Sequence, residues 1–189
     1  MAWAAAWGLQ PLHAVSPPIL QGALQIKATL AWRLCVFTEW PDKTGTGDPA
    51  QPFLMGVMGS PPQPGEDPGV NLMVRALIET TGTRKINGHR IEIRPIRTPS
   101  DFLACQAVFV LPSLKTRLQK LVQIAWRRGI LLISDAPGAA DVGVHINLVP
   151  AGDFIGYEVN ETAFRASGLK LDFRAVSNAV AIKRTGVRP

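Results

Sequence analysis

The sequence predicts an α/β fold: a three-layer sandwich with a mixed, mostly parallel sheet and helices on both faces. Over the first two-thirds of the chain, short apolar runs bounded by glycine and proline alternate with helical periodicity. This pattern is typical of parallel strands joined by crossover helices. Nearer the C-terminus, two apolar segments flank Pro150-Ala151-Gly152-Asp153, which predicts a hairpin and therefore an antiparallel pair. A chain of 189 residues is long enough to bury a core without disulfides.

The first element is a predicted amphipathic helix over residues 27–41. One predicted face consists of larger apolar residues at helical spacing: Ile26, Leu30, Leu34 and Phe37. A stripe of small residues lies beside it, formed by Ala28, Ala31 and Cys35. Because Pro41 disfavours the helical conformation at the residue before it, the helix is expected to end at Trp40.

The middle elements follow from local signals. Residues 53–58 form an apolar run that predicts the first buried strand. Asp67-Pro68 offers an N-cap and a first-turn proline for a helix to Thr81, which Gly82 ends. The Asn87-Gly88 turn then introduces a strand over residues 90–94, where isoleucines alternate with charged residues.

The second half of the chain continues in the same way. Residues 107–111 and 130–133 are predicted buried strands around a helix that Ser113 caps and Gly129 ends. The hairpin strands cover residues 145–149 and 154–159, and two short helices over residues 161–167 and 174–182 complete the fold.

Four blocks of the sequence resemble the YfiR-like family (DUF4154). They are the helix KATLAWRLCVFTEWP with its terminal Glu-Trp-Pro, Leu103-Ala104-Cys105 before AVFVL, SDAPGAADVGVHINLV, and IGYEVNETAFRASGLKLDFRAVSNA with its Glu-x-Asn. Together they cover roughly residues 24–184, in the family's order. The resemblance predicts one domain over residues 24–184, after an N-terminal export remnant or linker at residues 1–23 and before a tail at residues 185–189.

The resemblance also implies a function. Family members are exported bacterial proteins, and the best known represses a membrane-bound diguanylate cyclase. It therefore implies a non-enzymatic periplasmic regulator whose partner is such a cyclase or another membrane signalling protein. An outer-membrane lipoprotein as a second partner and a homodimer are further implications. Export itself rests on the resemblance, because the apolar N-terminus has no positive residue ahead of its apolar stretch.

Charge and composition argue against two classes of function, nucleic-acid binding and membrane spanning. The net charge is +6, but the basic residues are scattered and not interleaved with aromatics, so nucleic-acid binding is not predicted. No apolar run reaches the roughly 18 residues that a membrane-spanning helix needs.

The sequence carries no recognisable catalytic or metal-binding constellation. There is no Gly-x-Ser-x-Gly, and Ser134 and Asp135 are expected to bond loop backbone and start a turn. The three histidines are far apart without ligand spacing, so no metal is predicted. Prolines after the first strand lack the N–H groups that a phosphate needs, and no cofactor is predicted.

The best polar candidates for a partner or ligand surface are Glu158, Asn160 and Arg165. Their alternative role is structural: Asn160 caps the helix that contains Arg165, and Glu158 pairs with Arg165 near the cap. His145, where the family usually has methionine, is either a strand residue with a satisfied ring nitrogen or a functional group. Trp40 is either a plug over the core or a recognition residue.

The two cysteines, Cys35 and Cys105, allow two interpretations. Both are small buried hydrophobes, or they pair in an oxidising compartment if their Cα atoms lie about 4.4–6.8 Å apart. In several family members the equivalent of Cys105 pairs with a cysteine in the first strand, but FLMGVMG has none.

A second functional hypothesis uses the predicted sheet alone. Open α/β sheets bind ligands beyond the carboxyl ends of their strands. Here those ends lead into the loops that begin at Gly59, Leu111 and Ser134. The alternative is therefore a small-ligand-binding α/β protein of the solute-receptor kind.

Overall fold

An eight-stranded sheet organises the computed structural model, which describes residues 18–41, 48, 50–60 and 67–185. The predicted export remnant through residue 17 and the prolines at residues 61–64 lie outside these ranges. The helices are α1 (Pro18–Val36), α2 (Pro68–Thr81), α3 (Pro99–Ala104), α4 (Leu118–Arg128), α5 (Glu161–Ser167) and α6 (Phe173–Ser177). The strands are β1 (Thr38–Glu39), β2 (Phe53–Met58), β3 (Lys85–Ile86), β4 (His89–Pro95), β5 (Ala107–Val110), β6 (Leu131–Ser134), β7 (Ile146–Ala151), β8 (Phe154–Asn160), β9 (Lys170–Leu171) and β10 (Ala181–Lys183).

The strand order in the large sheet is β10-β8-β7-β6-β5-β2-β4-β3. Its β3–β4 and β7–β8 pairs are antiparallel, and its other pairs are parallel. The mixed, mostly parallel sheet is thus confirmed. Strands β1 and β9 form a separate antiparallel pair beside it.

Two hydrophobic cores cover the two faces of the large sheet. Alternate residues of each central strand enter opposite cores, as Met55 and Leu54 of β2 do. Helices α1, α2 and α6 contribute to the first core, whereas α3 and α4 contribute to the second. Helix α5 lies at the boundary, with Phe164 in the first core and Ala163 in the second. Helices on both faces are therefore confirmed.

Several local signals act as predicted. The Asp67 carboxylate caps α2 by accepting the Gly69 N–H at 2.9 Å, and Gly82 follows its last turn. Asn87 and Gly88 both have positive φ, at 50° and 87°, as a tight β3–β4 hairpin requires. Gly129 ends α4 in the left-handed conformation.

Helix α1 differs from its prediction at both ends. It begins at Pro18 and ends at Val36, because Thr38 and Glu39 pair with β9 and leave the helix before Trp40. The small stripe and Leu34 form the buried face of the helix, and they belong to the first core. Ile26, predicted on the same apolar face as Leu34, is 49% exposed and does not share its burial.

Two later predictions are also corrected. Residues 112–117 form a 3-10 turn, so α4 starts only at Leu118 and Ser113 does not cap it. The Ser113 hydroxyl instead donates to Asp67 Oδ2 at 2.8 Å and accepts the Ser60 N–H at 3.0 Å. The helix predicted for residues 174–182 stops at Ser177, and residues 181–183 form β10, because the edge of β8 offers ladder hydrogen bonds.

The two cysteines are free and buried in different cores, Cys35 in the first and Cys105 in the second. Because the sheet separates them, the predicted disulfide alternative is wrong. Burial raises the pKa of both thiols, that of Cys105 to about 11.

Candidate functional site

The closing part of the chain forms a groove at the sheet edge, which we call the α5–β10 groove. Its volume is about 430 Å³. The floor is apolar and consists of Val159, Phe164, Leu169, Leu171, Val176 and Ile182. The rim is charged and consists of Glu161, Arg165, Lys170 and Arg184.

The rim of this groove carries a small ion-pair network. The Glu161 carboxylate accepts from Arg184 Nε at 2.6 Å and lies 3.7 Å from Arg165 Nη2. The Arg184 hydrogen bond is the largest cause of the lowered pKa of Glu161. The side chain of Arg165 is 78% exposed, so its guanidinium is accessible from solvent. Counting Lys170, the rim has three cations for one carboxylate.

Asn160 forms hydrogen bonds with three segments of the chain, on the other side of β8 from the groove floor. Its Oδ1 accepts the Ala163 N–H at 2.9 Å, which confirms that Asn160 caps α5. Its Nδ2 donates to Ala140 O at 2.7 Å and to Thr185 O at 2.5 Å. The residue has no exposed surface, and a buried amide with these partners has a structural role.

Glu158 lies on the opposite side of β8 from the groove floor. Its carboxylate lies 3.4 Å from Lys183 Nζ and accepts from Asn147 Nδ2 at 3.3 Å. Lys183 also pairs with Asp141 at 3.2 Å, and these two acids raise the pKa of Lys183. The predicted Glu158–Arg165 pair is therefore wrong, because strand alternation turns Glu158 away from the groove.

His145, immediately before β7, is buried with both ring nitrogens partnered. Nδ1 accepts the Leu132 N–H at 3.1 Å, and Nε2 lies 3.0 Å from Ser167 Oγ. Since a backbone N–H only donates, Nδ1 has no proton and Nε2 carries it. Burial lowers the pKa of this imidazole to about 3. The structural alternative given for His145 matches these contacts.

Trp40 covers one end of the first core. Its Nε1 donates to Gln106 O at 3.2 Å, and its ring meets Phe53 edge-on with centroids 5.1 Å apart. These contacts fit the plug interpretation of this residue.

A second concavity lies at the carboxyl ends of the central strands, and we call it the strand-end crevice. Because β4 and β5 flank β2 on opposite sides, the sheet has a topological switch point between β2 and β5. The crevice has a volume of about 300 Å³ between α1, α2 and the ends of β5 and β6. Lys27 Nζ and Asp135 Oδ2 pair across it at 2.6 Å. Within the described ranges, Asp135 Oδ1 is buried without a hydrogen-bond partner.

The sequence predicts the strand-end loops as a possible ligand site, but it does not predict that Lys27 of α1 lies beside them. The missed signal is the only charged residue between residues 18 and 32 of α1, although nothing local indicates which loop this lysine reaches. Ser134 behaves as predicted, since its hydroxyl donates to Val110 O at 2.8 Å and accepts the Ala136 N–H.

Neither a metal-binding cluster nor a membrane-spanning helix occurs among the described residues. No group of three or more His, Cys, Asp or Glu side chains there is arranged to hold a metal ion. None of the helices in those ranges is long and apolar enough to cross a bilayer.

The fold defines an open, mostly parallel α/β protein with concavities at its sheet edge and at its strand ends. The model of the YfiR/HmsC-like family (DUF4154) matches residues 24–179. The chain belongs to this family, as its four sequence blocks predicted. No curated protein matches it significantly.

Solved structures support the fold at low identity. A conserved domain protein from Vibrio cholerae is 13% identical with a TM-score of 0.51, over 69% of this chain and 55% of that one. The ABC domain in complex with L-Trp from Streptococcus pneumonia is 11% identical with a TM-score of 0.56, over 82% of this chain and 62% of that one. The present chain thus spans less than two-thirds of either structure, and the similarity concerns the fold alone.

Proposed function

We propose that the protein is a non-enzymatic periplasmic regulator of a membrane signalling protein. It binds the extracytoplasmic sensor domain of that protein, a diguanylate cyclase in cyclic-di-GMP signalling, and holds it inactive. The observation that carries this proposal is family membership across residues 24–179. In the same proposal the regulator is a homodimer, and an outer-membrane lipoprotein or a small ligand relieves the repression.

The α5–β10 groove is the surface that we assign to the sensor domain. Its cationic rim favours an acidic partner surface, and its apolar floor supplies area that a partner can bury. Ile182 of the floor is 47% exposed, and Val180, two residues earlier in the chain, is 46% exposed. Among the described strands, β10 lies at the edge of the sheet, and an edge strand can pair with a strand of a partner. Of the predicted site residues, Arg165 lines this groove. Glu158 and Asn160 lie on the other side of β8 from its floor.

Co-purification with the extracytoplasmic domain of a neighbouring membrane cyclase tests the proposal. The variant Arg165→Glu removes a rim cation, and Arg75→Glu is its matched control. Both arginines are exposed partners of a glutamate four residues away on a helix, but Arg75 lies on α2. We expect the wild type and Arg75→Glu to retain the domain and Arg165→Glu to lose most of it. If Arg165→Glu still retains the cyclase domain, the α5–β10 groove is not the binding surface. If the wild type does not capture that domain, the proposed function is refuted.

Small-ligand binding is the second candidate function, and the strand-end crevice favours it. The crevice lies where open α/β sheets bind ligands, and it presents a cation and an anion side by side. A similarly folded domain is described in complex with L-Trp. A thermal-shift screen of amino acids and nucleotides tests this function. A ligand at about 100 times its Kd stabilises the folded state by about 2.7 kcal/mol, and Lys27→Met should abolish the shift. A screen without any shift counts against this candidate.

A further inference from the structure

A third concavity lies on the opposite face of the molecule, between α3 and α4. Its volume is about 490 Å³. Its apolar lining consists of Met58, Pro99, Phe102, Leu103, Leu121 and Ile124. Leu103 and Ile124 are 45% and 41% exposed, although both are large apolar side chains. Exposed apolar groups that converge on one groove mark an interaction surface rather than ordinary surface scatter.

The border of this α3–α4 groove is cationic. Arg97, Arg127 and Arg128 line it, and none of the acidic side chains that the structure describes does. Across the ranges that the structure describes, neither Arg127 nor Arg128 forms an ion pair with another side chain. The nearby Asp101 carboxylate is engaged in capping α3, where it accepts the Thr98 N–H at 2.8 Å. These backbone hydrogen bonds, with that of Arg97 first, lower the pKa of Asp101. The charges of Arg127 and Arg128, which are both exposed, are therefore available to a partner.

The open shape of the groove favours a helix over a small ligand. A small-molecule site encloses most of its ligand, whereas here two lining side chains stay nearly half exposed. An amphipathic helix needs only one covered face and leaves its polar face in water. The α4 residues that line the groove run from Leu121 to Arg128, which gives it a wall about 12 Å long, or about two helical turns.

We propose that the α3–α4 groove binds an acidic amphipathic helix of a protein partner. The apolar side chains of that helix would occupy the floor, and its carboxylates would pair with the arginines on the border. The sheet separates this groove from the α5–β10 groove, so the proposal stands independently of the function proposed above.

Fluorescence anisotropy with a designed peptide tests this inference. The probe is a labelled helical peptide of about 16 residues, with leucines at i, i+3, i+4 and i+7 and glutamates beside them. A second peptide replaces each glutamate by lysine. The test variant is Arg127→Glu/Arg128→Glu, and the control is Arg75→Glu/Arg90→Glu. The control makes the same change in charge at two exposed sites away from the groove.

We expect the wild type and the control to bind the acidic peptide within about twofold of each other, more weakly at high salt. The test variant should bind it at least about tenfold more weakly, because both border charges are reversed. Failure of the wild type to bind, equal binding of the lysine peptide, or an equal loss in the control would each overturn the proposal. Binding to anionic phospholipid vesicles but not to the peptide, lost in Arg127→Glu/Arg128→Glu, would also overturn it in favour of a membrane surface.

Discussion

Replacing His145 by methionine is expected to change how the stability of the protein depends on pH. The buried imidazole accepts the Leu132 N–H and donates to Ser167 Oγ, so it is neutral in the folded state. Burial lowers its pKa from the ordinary value of 6.5 to about 3. Methionine, the usual residue of the family at this position, has no titratable group.

The magnitude follows from proton linkage. In the unfolded chain the imidazole takes up a proton near pH 6.5, whereas in the folded chain it does so only near pH 3. Its contribution to stability is therefore complete above pH 6.5 and is lost as the pH falls towards 3. The slope is about 1.4 kcal/mol per pH unit. At neutral pH, His145→Met should be less stable by about 1–3 kcal/mol, because Leu132 N–H loses its acceptor.

Urea denaturation followed by tryptophan fluorescence measures this effect. Wild type and His145→Met are compared from about pH 7.5 down to about pH 4.5. Between about pH 7.5 and about pH 4.5 the difference in unfolding free energy should shift by about 2–3 kcal/mol in favour of His145→Met, which closes or reverses the gap. The carboxylates titrate alike in both proteins, so they cancel in the difference. A gap that stays constant with pH would refute the assignment of a neutral, buried imidazole.

Two further substitutions and one chemical assay probe the protein interior. Gly56→Ala should lower the unfolding free energy by about 1–3 kcal/mol in urea, because its Cβ would meet Ile96 Cγ1 at 2.7 Å and Cys105 Sγ at 2.9 Å; unchanged stability would contradict this packing. Cys35 and Cys105 should be unreactive towards a thiol reagent in the native protein, because both are buried, and reactive after denaturation without reductant. A denatured protein with no reactive thiols would reveal a disulfide. Asn160→Ala should cost about 1–3 kcal/mol through the lost cap and buried hydrogen bonds, and an unaltered urea midpoint would rule out its structural role.

The parts of the fold that the sequence predicts correctly depend on short-range chemistry. Asp67-Pro68 and Gly82 bound α2, and Asn87-Gly88 makes the β3–β4 turn. In each case the deciding contacts lie within a few residues, so the local sequence is sufficient.

Two of the missed features depend on partners distant in the sequence. Residues 181–183 become β10 because β8 presents an open edge, which overrides their helical pattern. Ser113 bonds Asp67 instead of capping α4 because the loops after β2 and β5 meet in space.

In the candidate site, too, the sequence predicts the local contacts and misses those between distant segments. The cap formed by Asn160 was predictable from its position before α5. The ion partner of Glu158 is Lys183, and this pairing depends on the strand that the sequence did not reveal. Lys27 was likewise missed, because its partner Asp135 is 108 residues away.

Cellular cyclic-di-GMP tests the central claim most directly, in a strain with the gene deleted and then complemented. We expect deletion to raise cyclic-di-GMP, the wild type and Arg75→Glu to restore the low level, and Arg165→Glu to leave it high although the variant accumulates normally. Unchanged cyclic-di-GMP after deletion would contradict the proposed regulator.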